Sequence, residues 1–119
     1  MGQLTSTVVA GDSYTLVTLA GESDLNTSDQ LRDVLLAEAD RDALRMIVEL
    51  SGLSFIDSTG LGVLVDVYKR LGERGGELAL VSPQPAVARV LTISGFARLA
   101  RVYDSVEKAS ARKPRKGAR

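Results

Sequence analysis

The residues best suited to chemistry lie in one run, Phe55-Ile56-Asp57-Ser58-Thr59-Gly60-Leu61-Gly62-Val63-Leu64. A hydroxyl stands between a carboxylate and a second hydroxyl, two glycines follow, and an apolar helical pattern begins at once. If a helix starts at Ser58, its side chain sits where backbone N–H groups lack partners and the macrodipole is positive, a place that welcomes an anion. Three kinds of chemistry use such a geometry.

A serine nucleophile needs a general base within hydrogen-bond reach, usually a histidine held by a carboxylate. The chain contains no histidine, and Ile56 stands where a nucleophile elbow has glycine. Lys69 lies about three helical turns beyond Ser58, and Lys108 falls near the C-terminus. A hydrolase is therefore set aside, and no catalytic residue is assigned. A glycine-rich phosphate cradle is the second possibility, but Val65 stands where a dinucleotide fingerprint wants a small residue. The Gly-Lys-Ser/Thr ending of a P-loop is also missing. Nucleotide binding stays as an alternative, with no cofactor assigned.

The third possibility is that another protein phosphorylates Ser58. A phosphate there adds about −1.5 to −2 charge beside free backbone donors, which offset part of its repulsion from Asp57. A plain N-cap uses the same residues, since Asp57 and Ser58 are both favoured at that position, and spacing alone does not choose. On a helix starting at Ser58, Gly62, Asp66 and Lys69 lie within a quarter turn of it, on the side turned away from Leu61, Leu64 and Tyr68. Gly62 then leaves room for a partner's backbone, and Gly60 serves either that purpose or packing of the first turn against a sheet. Thr59 is a bystander or a second phosphoacceptor.

The elements that must hold this run can be read from periodicity. Thr5–Ala10 and Tyr14–Ala20 are β-branched and alternating, with Gly11-Asp12-Ser13 between them, which reads as a hairpin. Gly21-Glu22-Ser23-Asp24 breaks the pattern. Thr27-Ser28-Asp29-Gln30 has the form of a capping box, and Leu31, Val34 and Leu35 supply the inner face of a helix over Ser28–Ala39. Met46–Leu50 reads as a strand buried on both faces. A second helix is expected over Ser58–Gly72, with Leu61, Leu64, Val65, Tyr68 and Leu71 inward. Gly75-Gly76 turns the chain into a strand over Glu77–Val81, completing a parallel, right-handed strand-helix-strand unit. Pro85 opens a third helix with Val87, Val90 and Leu91 inward and Gly95 as its stop. Val102-Tyr103 forms a last short strand, and Asp104–Glu107 starts a final helix.

With 119 residues the chain builds one compact domain, and its 45% hydrophobic and 25% charged composition suits a soluble α/β globule. No tryptophan, three tyrosines and two phenylalanines supply a base-stacking platform poorly, so nucleic acid is not an expected partner. The absence of cysteine removes disulfides and thiolate sites. No run reaches the roughly 18 apolar residues of a membrane span, and a cytoplasmic location without membrane contact is expected. The zero net charge hides an asymmetry: six of the fifteen basic residues fall in 108–119, leaving residues 1–107 with nine basic against fifteen acidic groups. Residues 110–119 read as a basic, disordered tail after a domain over 1–109.

The run FIDSTGLGVL closely resembles the signature of anti-sigma-factor antagonists of the STAS domain family, Asp-Ser-Ser/Thr-Gly-Leu-Gly after a buried strand. Gly21-Glu22-Ser23-Asp24 resembles the family's Gly-Glu-Leu-Asp, and Thr92-Ile-Ser-Gly-Phe96 through Tyr103, Ser105 and Glu107 resembles its C-terminal pattern. Ser23 replaces the usual leucine and Thr59 the second serine, and the tail lies outside the pattern. The resemblance spans roughly residues 4–109. It implies a mixed sheet of four or five strands with helices mainly on one face, and no catalysis. It further implies that an anti-sigma-factor serine kinase phosphorylates Ser58 and a phosphatase reverses this. Asp24 and Asp57 become partner-contacting or serine-orienting carboxylates, joined by Ser58, Thr59, Gly60, Gly62 and Asp66 in the partner surface. A Mg²⁺ site on Asp24 and Asp57 lacks a third ligand, so no metal is expected. STAS domains also serve as subunits of signalling or lipid-transport complexes, which keeps the fold and changes the task.

Overall fold

The computed structural model describes residues 2–41 and 45–111. Strands β1 (Leu4–Ala10) and β2 (Thr15–Ser23) form an antiparallel hairpin in unbroken register, from Leu4 opposite Gly21 to Ala10 opposite Thr15. There follow α1 (Ser28–Ala39), β3 (Arg45–Ile56), α2 (Ser58–Glu73), β4 (Glu77–Val81), α3 (Pro85–Ile93), a 3-10 turn (Phe96–Arg98), β5 (Arg101–Tyr103) and α4 (Val106–Ala111). The five strands lie in chain order, and β2–β3, β3–β4 and β4–β5 are parallel, so the sheet is mixed as expected.

The central strands are apolar at successive positions because both faces are covered. Met46, Val48, Leu50, Leu78 and Leu80 pack beneath α1, α2 and α3, whereas Ile47, Ala79 and Val81 join Tyr14, Leu16, Tyr103 and Ala109 of α4 on the opposite face. Three helices thus share one face, and one short helix covers part of the other. Ser110 and Ala111, expected in the tail, close α4. Residues 112–119 of that tail lie outside the described residues.

Three local expectations need correction. First, β2 runs on to Ser23 and β3 to Ile56, past the positions where the pattern breaks. Register offsets between Thr18 and Ala20 and between Gly21 and Glu22 give β3 one extra residue at each step, so Ser51 and Ser54 are absorbed as bulges. Gly21 makes this possible: its φ is +104°, and a Cβ there would lie 2.1 Å from the Gln3 carbonyl oxygen. Second, no capping box forms at α1. The Thr27 hydroxyl donates to the Glu22 carbonyl (3.0 Å) and accepts from the Asp24 amide (2.9 Å), while Gln30 Nε2 donates to the Leu4 carbonyl (2.6 Å). Tertiary acceptors outcompete the helix end. Third, the buried stripe of α2 is Gly60, Val63, Leu64, Val67 and Leu71. Leu61, Val65 and Tyr68 are only half-buried on its flank, where Tyr68 meets Phe96 edge-on at 5.8 Å. The helix is apolar on two adjoining faces, and the one lying on the sheet is about a quarter turn from that expected.

Candidate functional site

The rotation has a direct consequence for Ser58. At 100° per residue the buried stripe now centres opposite this serine, so its side chain faces away from the sheet. Ser58 is exposed, and its hydroxyl makes no hydrogen bond among the described residues.

Asp57 is the N-cap, with extended backbone angles of −107° and −172°. Its Oδ1 accepts from the amides of Thr59 (3.0 Å) and Gly60 (3.1 Å) and from the Thr59 hydroxyl (2.5 Å). Burial works against the charge on Asp57, but the Thr59 hydroxyl and the amides of Gly60, Thr59 and Leu25 outweigh it and hold the carboxyl below its ordinary value of 3.8. The choice that spacing left open is thereby made: Asp57 caps the helix, and Ser58 follows it as the first helical residue. It also corrects the expectation of free donors beside Ser58, because the amides of Thr59 and Gly60 are already engaged. The same engagement removes the donors that a glycine-turn phosphate cradle would use.

Thr59, with its hydroxyl held by Asp57, is half-buried. Asp24 Oδ1 accepts from the amides of Asn26 (2.9 Å) and Thr27 (3.2 Å), so this carboxylate shapes its own loop and makes no bond to Ser58 among the described residues. The two loops are tied by the Asp57 amide, which donates to the Ser23 carbonyl (3.0 Å), and by the Leu25 amide at the Asp57 carboxylate.

Gly60 is buried, and a Cβ there would fall 2.1 Å from Ser23 Oγ and 3.0 Å from Ile56 Cγ1. Its lack of a side chain is demanded from within, which takes it out of the expected contact surface. Ser23, the residue that departs from the Gly-Glu-Leu-Asp pattern, is fully buried beneath it, its hydroxyl without a partner. A Cβ at Gly62 would meet nothing within 4 Å, so nothing inside the chain asks for glycine there. Asp66 is held by Arg32 of α1, Nη1 to Oδ2 at 2.9 Å, with both side chains nearly half-exposed.

Two residues that spacing did not single out complete the neighbourhood. Leu25 is 72% exposed on the loop that touches Asp57, and Phe55 is 47% exposed two residues before it. Alternation alone would put Leu53 and Phe55 on one face; it is the extra residue Ser54 that turns Phe55 outward while Leu53 and Ile56 face the core, and that bulge is not legible locally. Among the described residues no group of three or more His, Cys, Asp or Glu could hold a metal ion, and no helix is long and apolar enough to cross a membrane.

The described residues thus form a mixed sheet with three helices on one face, presenting an unengaged serine beside a capping carboxylate at the start of α2, with exposed apolar side chains on the adjoining loop and strand. The chain belongs to the STAS domain family, whose model matches residues 6–109. It is 38% identical over 92 residues, 76% of this chain and 78% of the relative, to an anti-sigma F factor antagonist of Paenibacillus polymyxa. It is 30% identical over 96 residues, 81% and 89% of the two chains, to an anti-sigma-B factor antagonist of Staphylococcus aureus. A crystal structure of an anti-sigma factor antagonist from Mycobacterium paratuberculosis superposes with a TM-score of 0.82 at 26% identity, covering 90% of this chain and 91% of that one. The resemblance read from the Asp57–Gly62 motif is borne out.

Proposed function

We propose that this chain is an anti-sigma factor antagonist without catalytic activity, acting in the cytoplasm, whose unphosphorylated form binds an anti-sigma factor of the serine-kinase type and releases a sigma factor. The same kinase phosphorylates Ser58, which ends binding, and a serine phosphatase restores it. The observation that carries this reading is the exposed, unbonded Ser58 hydroxyl at the first helical position, next to a carboxylate that already caps the helix. A kinase can reach it without opening the fold.

Leu25, on the loop whose amide meets the Asp57 carboxylate, supplies exposed apolar contact area near the acceptor, and the bare Cα of Gly62 lets a partner's backbone come close. Asp24 and Asp66 contribute through the geometry they impose, one on its loop and one on the α1–α2 pairing. A thousandfold loss of affinity corresponds to about 4.1 kcal/mol. Like charges juxtaposed across an interface cost several kcal/mol, so a phosphate on Ser58 facing acidic or desolvated partner groups supplies the switch without any change of fold.

The test is incubation with ATP and the cognate kinase, followed by mass spectrometry. A single phosphate on Ser58 is expected, with Ser58→Ala unlabelled and its thermal midpoint nearly unmoved. Ser58→Asp is expected to weaken capture of the unmodified anti-sigma factor. Labelling confined to another residue, or equal binding by the wild type and Ser58→Asp, overturns the reading.

A further inference from the structure

The edge strand β5 is shorter than its neighbour. It pairs only with Ala79, Leu80 and Val81, so the outer edge of β4 at Glu77 and Leu78 has no strand beside it. A cavity of about 770 Å³ opens at this notch, lined from above by the C-terminal half of α2. Its apolar wall comprises Leu78, Leu99 and the ring of Tyr68, and Leu99 is 55% exposed.

The polar side of the cavity carries unbalanced positive charge. Arg45 and Glu77 face each other across β3 and β4 at 3.8 Å and largely cancel. Glu73 offsets one more positive charge, which leaves the lining, with Arg45, Lys69 and Arg101 against Glu73 and Glu77, one positive charge in excess. Lys69 and Arg101, both exposed at the cavity, have no ion-pair partner among the described residues. Tyr103, which borders the cavity from the α4 face of the sheet, has a buried hydroxyl without a hydrogen-bond partner among the described residues. Space is kept open by Gly72, where a Cβ would meet nothing within 4 Å. Glycine inside a helix costs about 1 kcal/mol relative to alanine, and packing gives no reason for it here.

We infer that this notch is a binding site for a small organic anion with an apolar body. Its carboxylate or phosphate group lies between Lys69 and Arg101, and its body lies against Leu78, Leu99 and Tyr68. The volume falls in the range of roughly 300–1,000 Å³ typical of small-molecule pockets, and a largely apolar wall with a few converging charges is the usual composition of such sites. Along α2 the notch is separated from Ser58 by roughly 16–20 Å, so the inference does not rest on the phosphorylation reading.

The probe is 8-anilinonaphthalene-1-sulfonate, an anion on an aromatic body, titrated into the full-length chain and followed by fluorescence. Saturable binding with one molecule per chain is expected. Lys69→Ala combined with Arg101→Ala is expected to weaken it at least tenfold. Gly72→Leu, whose Cβ would meet nothing within 4 Å and whose longer side chain would occupy the cavity that Gly72 lines, is expected to abolish it with the thermal midpoint unchanged or raised. Ser58→Asp is expected to leave the isotherm unmoved, and equimolar inorganic phosphate should not displace the probe. Failure to saturate, more than one molecule per chain, or an isotherm indifferent to Gly72→Leu or the double substitution overturns the inference. Complete displacement by equimolar phosphate does so as well, because it leaves the apolar wall no part.

Discussion

Gly60 and Gly62 stand two residues apart on α2, yet substitution of each by alanine is expected to act in opposite directions. An alanine Cβ at position 60 would lie 2.1 Å from Ser23 Oγ, 3.0 Å from Ile56 Cγ1 and 3.1 Å from Ser23 Cβ. Ser23 is fully buried and Ile56 is 3% exposed, so neither has open space to move into. Either the first turn of α2 lifts or the end of β2 shifts, and overpacking of this kind costs about 1–3 kcal/mol. Replacing a helical glycine by alanine returns up to about 1 kcal/mol. Since the nearest contact is so short, a net loss of roughly 1–2 kcal/mol is expected for Gly60→Ala. At Gly62 a Cβ meets nothing, only the propensity term remains, and Gly62→Ala should stabilise the isolated domain by up to about 1 kcal/mol.

Urea unfolding followed by circular dichroism measures both, provided the m-value is unchanged. Adding Ser23→Gly removes both Ser23 contacts and should recover most of the Gly60→Ala deficit, a coupling that a double-mutant cycle reads directly. Binding to the anti-sigma factor separates the two roles further. Gly62→Ala is expected to weaken docking despite its greater stability, whereas Gly60→Ala should bind normally under conditions where it is fully folded. A neutral Gly60→Ala, or a Gly62→Ala that loses stability, would refute the division into one packing glycine and one docking glycine.

Two further outcomes follow from single residues. The Asp57 carboxyl is held below its ordinary value of 3.8, so its charged form stabilises the folded state. That contribution is complete above pH 3.8 and is lost as the pH falls through the lower folded value; thermal midpoints of wild type and Asp57→Asn should therefore converge on acidification. A constant difference between them down to pH 2 contradicts the capping role. Gly21→Ala combines a φ of +104° with a Cβ 2.1 Å from the Gln3 carbonyl oxygen, and a loss above about 3 kcal/mol is expected in the same urea assay, more than strain at a special φ alone accounts for.

The architecture was legible where the local pattern and the tertiary structure agree. Capping chemistry and apolar spacing mark the bounds of α1 and α2 to within a residue, and the continuous apolar runs at Met46–Leu50 and Glu77–Val81 announce strands covered on both faces. The first two misses share one cause. Ser51, Gly52 and Ser54 look like a turn because they are small and polar, but the extension of β2 offers them pairing partners that no local rule contains. Thr27 and Gln30 were drawn off their capping roles by the carbonyls of Glu22 and Leu4, which are distant from the helix end in the pattern but adjacent in space. In α2, apolar residues on two adjoining faces left the period clear and the phase ambiguous, and the weight of Leu61, Val65 and Tyr68 pulled it toward the wrong face. The site itself was legible as a motif, but the division of labour within it was not. Gly60 belongs to packing, Asp24 to its own loop and Asp66 to Arg32, and only contacts across elements reveal this.

That division bears on how a phosphate at Ser58 would be felt. A helix start has unfilled donors, and an added anion normally gains from them. Here Asp57 already accepts from the amides of Thr59 and Gly60, and Leu61 donates to the Asp57 carbonyl at 2.9 Å, so of the first-turn amides only that of Ser58 has no partner among the described residues before a phosphate arrives. A phosphate on Ser58 therefore finds the dipole partly neutralised and a carboxylate as its neighbour. Two negative groups about 6 Å apart in water repel by roughly 0.7 kcal/mol per pair of unit charges, about the size of the remaining dipole attraction, so the fold loses little and gains little. What remains is a dianion directed outward from the exposed side of α2, uncompensated by its own protein and presented near the loop that carries the exposed Leu25. In this arrangement the capping residue has a second consequence. By occupying the donors itself, Asp57 leaves the phosphate charge to be read by whatever docks on this surface.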